Sequence, residues 1–408
     1  MIKSISVLGS SSGRNAGDAA LISGIMEAVD QRLNRRVRYE IPTLYPDFVT
    51  RTYTDHDVCP INVMPWTGSI KLMGIPTYRS VTRTDMSLVF DAVLFDRDLF
   101  NPMFNFLSSL YVLLPAAKRA GKRVGLYNCG VGPIKTKLGA KMLKKVADVC
   151  DFITVREEGS ADVLLDLGVP KDRIILTADA ALNAPAVSPA ETERLLAEIG
   201  INKHPEVLAI NINIYLDTWA EHSSGKLTKE SFLDIMAKGI NDAAAQISAP
   251  ILFVTTMHKD IELTQALKDR IKCEQPIYII DNKQYNHYQL KGIFSHISLL
   301  YAMRLHAIIL ASSAGAPVAG LAYQPKVTHY FEQLGLQDYC NGFKGFSPAA
   351  VTEQLVKAWT DRHKIKATLD QKIPELKQKA FIAAECVAQF DQDQSACDQT
   401  KTHCCANC

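Results

Sequence analysis

The sequence predicts an α/β protein built from two successive Rossmann-like domains, each a doubly wound parallel sheet, followed by a long helical C-terminus. Three observations carry this. Short β-branched runs alternate with amphipathic helical stretches along the chain, as βαβ units require. The runs are apolar without polar alternation, which suits strands covered on both faces. The rhythm lapses once, over Ala180–Pro189, where Asn183, Pro185, Ser188 and Pro189 read as a linker, and then resumes.

In the first half, strands are expected at Ile5–Gly9, Arg36–Ile41, Ala92–Phe95, Val124–Asn128, Phe152–Val155 and Ile174–Thr177. Helices fall near Ala16–Leu33, Met103–Arg119, Leu138–Val149 and Gly159–Leu167. In the second half, Val207–Asn213, Ile251–Thr255, Pro276–Ile280, Ile297–Leu300 and Val318–Tyr323 read as strands. Phe232–Gln246, Ile261–Ile271, Tyr285–Phe294, Arg304–Ser313 and Val327–Leu334 read as helices. From Pro348 to Phe390 the pattern is helical only, either one long helix packing back across both domains or an exposed solvated one. The polar stretch from Asp391 is expected to lack order. The limits are 1–184 and 185–347 for the domains, 348–390 for the C-terminal helices and 391–408 for a Cys-containing tail.

The 408 residues, at roughly 150 per domain, allow two domains or at most three. Hydrophobic residues make up 47% and charged residues 22%, which excludes disordered and collagen-like classes. Forty-five basic against forty-three acidic residues leave +2, so charge gives no global reason to expect nucleic acid or an anionic membrane. The ten cysteines form no recognisable disulfide framework. Cys397, Cys404, Cys405 and Cys408 crowd beside His403, a set that could bind zinc but matches no known finger; adventitious thiols are the alternative. No metal constellation is visible elsewhere. The apolar run at the N-terminus is too short for a signal segment. Ile297–Tyr323 carries Arg304, His306, Gly315 and Pro317, which argues against a spanning helix. A soluble, reduced, cytoplasmic protein is expected.

Ligands of doubly wound sheets bind outside the carboxyl ends of the strands, so residues there count most. The first strand runs into Gly9-Ser10-Ser11-Ser12-Gly13-Arg14-Asn15-Ala16-Gly17-Asp18 and then a helix. A small-residue loop opening a helix offers N–H groups to a phosphate or carboxylate, so Asn15, Gly17 and Asp18 are candidates; a tight packing turn is the alternative. It matches neither G-x-G-x-x-G nor a P-loop. Gly130-Val131-Gly132-Pro133 is a second such turn, with Pro133 placed near a helix start. Arg156 ends the strand Phe152–Val155, either gripping an anion or pairing with Glu157, Glu158 or Asp179. Asp179 follows the next strand, as a sugar-hydroxyl acceptor or as Arg156's partner. In Met303-Arg304-Leu305-His306, an Arg and a His open an otherwise apolar helix, which is costly unless they are paired or functional. With Lys326 after the following strand and Arg156 from the other domain, they form an expected anion site. A histidine there can exchange a proton near neutrality.

These residues resemble the polysaccharide pyruvyl transferase family across about residues 5–336. The likeness rests on Asn15-Ala16-Gly17-Asp18, Gly130-Val131-Gly132-Pro133, Ile153-Thr154-Val155-Arg156-Glu157 and Met303-Arg304-Leu305-His306. Leu176-Thr177-Ala178-Asp179 and Gly320-Leu321-Ala322-Tyr323-Gln324-Pro325-Lys326 fit in order and spacing. The resemblance implies a GT-B-like fold and transfer of the carboxyvinyl unit of phosphoenolpyruvate onto two sugar hydroxyls, with no cofactor. It implies His306 as general acid, Arg304 and Lys326 on phosphoenolpyruvate with Leu305 between, and Arg156 as a further anion clamp. The implied partners are phosphoenolpyruvate and a glycan or lipid-linked sugar acceptor, with peripheral membrane contact if the acceptor is membrane-bound. Two departures stand in the N-terminal domain. Phe95-Asp96-Arg97-Asp98-Leu99-Phe100 replaces the family's glycine-rich stretch, and Ala19 stands where Glu is common. A GT-B-like glycosyltransferase using a nucleotide sugar, and a non-catalytic anion- or sugar-binding relative, are the rival readings.

Overall fold

The computed structural model describes residues 1–214, 221–222 and 225–404. It divides into two compact units. The first comprises Met1–Gly13, Asp18–Ala184 and Leu376–Cys408; the second comprises Arg14–Gly17 and Pro185–Glu375.

The first unit holds β1 (Ser4–Leu8), α1 (Ala16–Leu33), β2 (Arg38–Thr43), α2 (Pro46–Thr52), β3 (Asp57–Asn62) and the hairpin β4 (Ser69–Ile70) and β5 (Met73–Gly74). It continues with α3 (Ile75–Arg83), β6 (Met86–Val89), α4 (Leu107–Arg119), β7 (Arg123–Cys129), α5 (Lys137–Val149), β8 (Phe152–Val155), α6 (Glu158–Asp166) and β9 (Ile174–Leu176). The seven-stranded sheet has the order β3-β2-β1-β6-β7-β8-β9, parallel throughout. Order reverses between β1 and β6.

Two differences from the expected strands have local causes. The strand expected at Ala92–Phe95 lies instead at β6, and Leu94 makes only an isolated bridge to Val131. Asp91, at φ 69, turns the chain out of the sheet after Phe90. Strand β3 was not expected, because Pro60 interrupts it; it sits at the sheet edge, where a missing N–H is tolerated. Helix α5 is capped by Thr136, whose side chain accepts from Gly139 N, and Pro133 lies in the loop just before that cap.

The second unit holds α7 (Pro189–Ile199), β10 (Leu208–Asn211), the short β11 (Glu221–His222) and β12 (Gly225–Lys226), α8 (Lys229–Ala244), β13 (Ile251–Thr255), α9 (Ile261–Lys268) and β14 (Ile277–Asp281). Then come α10 (His287–Phe294), β15 (Leu299–Ala302), α11 (Leu305–Ser313), β16 (Val318–Ala322), α12 (Pro325–Leu334), β17 (Cys340–Gly342), α13 (Pro348–Thr360) and α14 (Arg362–Cys404). Its six-stranded sheet runs β14-β13-β10-β15-β16-β17, reversing between β10 and β15. Strands β10, β13 and β15 are buried at every residue, which explains their unbroken apolar runs.

Helix α14 is not a solvated surface helix. From Leu376 it counts with the first unit, where Ala380, Ala383, Ala384 and Val387 are buried. Asn128 Nδ2 donates to Ala380 O at 2.9 Å, Phe390 stacks on Phe152, and Arg35 pairs with Asp391 at 2.8 Å. The backbone is helical through Cys404. The candidate zinc set falls on residues whose side chains are not described, and 405–408 lie outside the described residues. No helix among the described residues is long and apolar enough to cross a membrane.

Candidate functional site

In the second unit, β10, β13 and β15 converge on one side chain. Asn211, the last residue of β10, donates from Nδ2 to Val254 O of β13 at 2.8 Å. Its backbone and side-chain oxygens accept from Met303 N at 3.0 Å and Arg304 N at 3.2 Å. This knot lies at the reversal of strand order, where doubly wound sheets take ligands. It delivers the chain from β15 straight into α11, with Arg304 at the N-cap position, Leu305 buried behind it and His306 in the first turn.

Arg304 is 9% exposed and Asp260 fully buried. Nε and Nη2 of Arg304 donate to the two oxygens of Asp260 at 2.5 and 2.8 Å, a bidentate pair. Asp260 Oδ1 also accepts from Ile214 N at 3.1 Å. The carboxylate fixes the plane of the guanidinium. Asp260 was missed in the sequence because the turn after β13 offered no motif; its place just beyond a strand's carboxyl end was the available signal.

Residues Arg14–Gly17, from the first small-residue loop, belong to this unit. Ala16 N donates to Thr256 O at 2.8 Å and His258 N to Arg14 O at 3.0 Å, while Asn15 bridges Met257. Asn15 Oδ1 accepts from Gly17 N at 3.0 Å. A Cβ on Gly17 would lie 2.2 Å from His306 Nδ1 and 2.5 Å from His306 Cβ. Gly17 is therefore the gap that His306 fills. His258 is held below its ordinary pKa, first by burial and then by Lys283 and Arg14. Lys326 is the second residue of α12, after the neighbouring strand β16, with Nζ 5.9 Å from the Tyr323 ring.

The remaining candidates lie in the first unit. Arg156, 3% exposed, places Nη1 2.8 Å from Asp179 Oδ2, so Asp179 is its partner among those considered. Burial opposes the guanidinium's charge, but Asp179 and then Glu157 raise its pKa above the ordinary value. Gly130 brings its backbone against this pair, since a Cβ there would sit 3.0 Å from Arg156 Nη2. Gly132 has φ +94, which favours glycine. Asp18 accepts from Ser10 Oγ at 2.5 Å. Gly9–Ser12, Thr43, Lys71 and Phe106 line a cavity of about 110 Å³; Lys71 and Phe106 carried no sequence signal.

The Asp96 segment has a structural use. Asp96 Oδ2 accepts from Lys135 N at 2.8 Å and Thr136 N at 2.5 Å, tying this loop to the one after Gly132. Burial opposes its charge, but donation from Thr136 and Lys135 outweighs burial and holds the carboxyl below its ordinary pKa. A depressed folded pKa gives stability that is present above the unfolded value and lost as pH falls through the folded one. Asp96→Asn is expected to cost about 1–3 kcal/mol at neutral pH, with the gap to wild type closing below about pH 4, as urea melts across pH would show.

Among the described residues no group of three or more His, Cys, Asp or Glu side chains could hold a metal ion. A model of the polysaccharide pyruvyl transferase family matches residues 15–325. A search among curated proteins gives no match. Solved structures similar in fold include the following two. UDP-GlcNAc 2-epimerase from Neisseria meningitidis, bound to UDP-GlcNAc, has 12% identity and a TM-score of 0.60, covering 95% of this chain and 100% of its own. Anabaena Alr3699/HepE, in complex with UDP and glucose, has 13% identity and a TM-score of 0.58, covering 97% and 100%. At these identities the likeness shows the GT-B-like fold alone.

Proposed function

The chain belongs to the polysaccharide pyruvyl transferase family, whose match spans residues 15–325, and on that premise we propose a cytoplasmic transferase with phosphoenolpyruvate as donor. It moves the carboxyvinyl unit onto two hydroxyls of a glycan or glycoconjugate, forming a pyruvate ketal and releasing phosphate. The observation that carries this reading is the set at the carboxyl ends of β10, β13 and β15: a guanidinium locked by Asp260, with an imidazole seated against Gly17.

His306 gives a proton to the methylene carbon, which becomes the methyl group. The adjacent carbon gains oxocarbenium character, and the first hydroxyl attacks it and loses its own proton. The second hydroxyl then displaces phosphate, which leaves with the C–O bond pair, and its proton is released. Arg304 and Lys326 hold the donor's anionic groups throughout. Charge fixed in advance costs no reorganisation when the transition state forms. His306→Ala is expected to lower phosphate release about 10²–10⁴-fold with the fold retained; an active variant removes His306 as the acid.

A second reading, a glycosyltransferase using a nucleotide sugar, has the UDP and UDP-GlcNAc complexes of the fold neighbours in its favour. Thermal shift separates the two, because a ligand of the native state raises stability by mass action. Phosphoenolpyruvate is expected to raise Tm and UDP-GlcNAc to leave it unchanged.

A further inference from the structure

The first unit carries a charge bias that the proposed reaction does not use. Between Leu99 and Ala147 the chain has nine Lys or Arg residues and no Asp or Glu. Some of these cations are neutralised: Lys118 and Arg123 pair with Asp151, and Lys144 pairs with Asp148. Arg119, Lys122, Lys135, Lys137, Lys141 and Lys145 make no ion pair among the described residues, and all but the half-buried Lys122 are exposed. The exposed acids of the next helix, Glu158, Asp162 and Asp166 of α6, pair with none of them. Lys137, Lys141 and Lys145 stand at i, i+4 and i+8 of α5, along one face of a helix about 20 Å long.

Exposed rings stand at the head of this face. Asp96 accepts from Lys135 N and Thr136 N, and a Cβ on Gly139 would lie 2.4 Å from Asp96 Cβ. The loop running from Phe95 to Phe104 is thus pressed onto the first turn of α5. On that loop Phe100 is 80% exposed, and Met103 and Phe104 are exposed as well. Phe95 meets Phe104 edge-on, with ring centroids 5.5 Å apart, and the Arg97 guanidinium lies 5.5 Å from the Phe104 ring. Both acids of the loop are engaged, Asp96 by backbone N–H groups and Asp98 by Arg97 at 3.7 Å. Rings therefore stand where the lysine row begins, just beyond the carboxyl end of β7.

We propose that this loop and the lysine face of α5 bind an acidic glycan, a chain of sugars bearing repeated carboxylate or phosphate groups. Sugar rings present C–H faces that pack on aromatic side chains, whose apolar bodies supply the contact area, while the anions meet ammonium groups. Lysines are compact charges on flexible stems. A row of them suits anions recurring along a chain better than one anion gripped bidentately. Exposed apolar side chains gathered in one place mark a binding surface, and unpaired cations beside them set the sign of what binds. Single-stranded nucleic acid also offers rings and anions, but the chain belongs to a family that modifies glycans, which favours the sugar polymer. Resting on the transferase reading, this makes the acceptor an anionic polysaccharide. It also gives the Phe95–Phe100 segment, which departs from the family's glycine-rich stretch, a part in choosing that acceptor.

The test is calorimetric titration of the full chain with polygalacturonate, phosphomannan, neutral dextran and oligo(dT). At least one of the two acidic polysaccharides is expected to bind, more weakly as salt rises, and dextran is expected not to; the two acidic arms tell carboxylate from phosphate. Lys137→Gln/Lys141→Gln/Lys145→Gln is expected to weaken that binding about tenfold or more and to flatten its salt dependence, whereas the triple Arg variant retains it. Phe100→Ala is expected to weaken it about three- to tenfold with the salt dependence unchanged. All four positions are exposed, and an unchanged Tm confirms that the variants fold. No binding of either acidic polysaccharide, equal binding of dextran, tighter binding of oligo(dT), or a triple Gln variant that binds as wild type would overturn the proposal. The phosphoenolpyruvate thermal shift is read on the same samples, so failure of the donor reading is scored separately from failure of the surface.

Discussion

Gly17→Ala is expected to lower turnover about 10²-fold or more while the protein stays folded. The added methyl would sit 2.2 Å from His306 Nδ1 and 2.5 Å from its Cβ. Because the overlap reaches the Cβ, no rotation about χ1 relieves it. Either the imidazole and the start of α11 move away, or Arg14–Gly17 lifts from Thr256 and His258. Each route misplaces the proposed acid by an ångström or so, and misplacement on that scale costs about two orders of magnitude. Phosphoenolpyruvate should still raise Tm, since Lys326 lies on another helix and Asp260 still holds the Arg304 guanidinium. Wild-type phosphate release by this variant would show that His306 does not work from the position beside Gly17.

Asp260→Asn carries the largest expected effect on stability. It leaves Arg304 buried beside an amide whose nitrogen repels the donors it faces. Breaking a buried ion pair from one side costs about 3–5 kcal/mol, whereas replacing both members with apolar residues of similar volume is often neutral. The urea midpoint should therefore fall sharply in Asp260→Asn with the slope unchanged, and recover in Asp260→Leu/Arg304→Met. Phosphoenolpyruvate binding should be lost in the double variant despite its recovered stability. That separation distinguishes a carboxylate that positions Arg304 for a ligand from one that serves only the fold; retained binding in the double variant would remove Arg304 from the donor site.

Residues whose role follows from local pattern were legible early. The fully buried strands β8 and β13 have the limits the apolar runs predict, Phe152–Val155 and Ile251–Thr255. Strands β3 and β6 were not: one is a half-buried edge containing Pro60, the other has Ser87 in its middle and a more apolar decoy, Ala92–Phe95, just after it. At the candidate site, Arg304 and His306 stood out because charge is rare at the head of an apolar helix. Asp260 and Asn211 did not, because nothing within a few residues of either reports the strand ends they join.

The sequence alone determined that the chain forms two parallel sheets, because unbroken apolar runs alternating with helices have few other ways to cover both faces of a strand. It also determined which cations stand at strand ends. Only the tertiary structure decided who meets whom: Asp260 on Arg304, Asp179 on Arg156 and His306 in the space left by Gly17. Asp179 was one of three partners the sequence offered Arg156, and the fold chose among them; the other two pairings join residues far apart in the chain, and contacts that depend on how strands are ordered in a sheet leave no trace in local spacing.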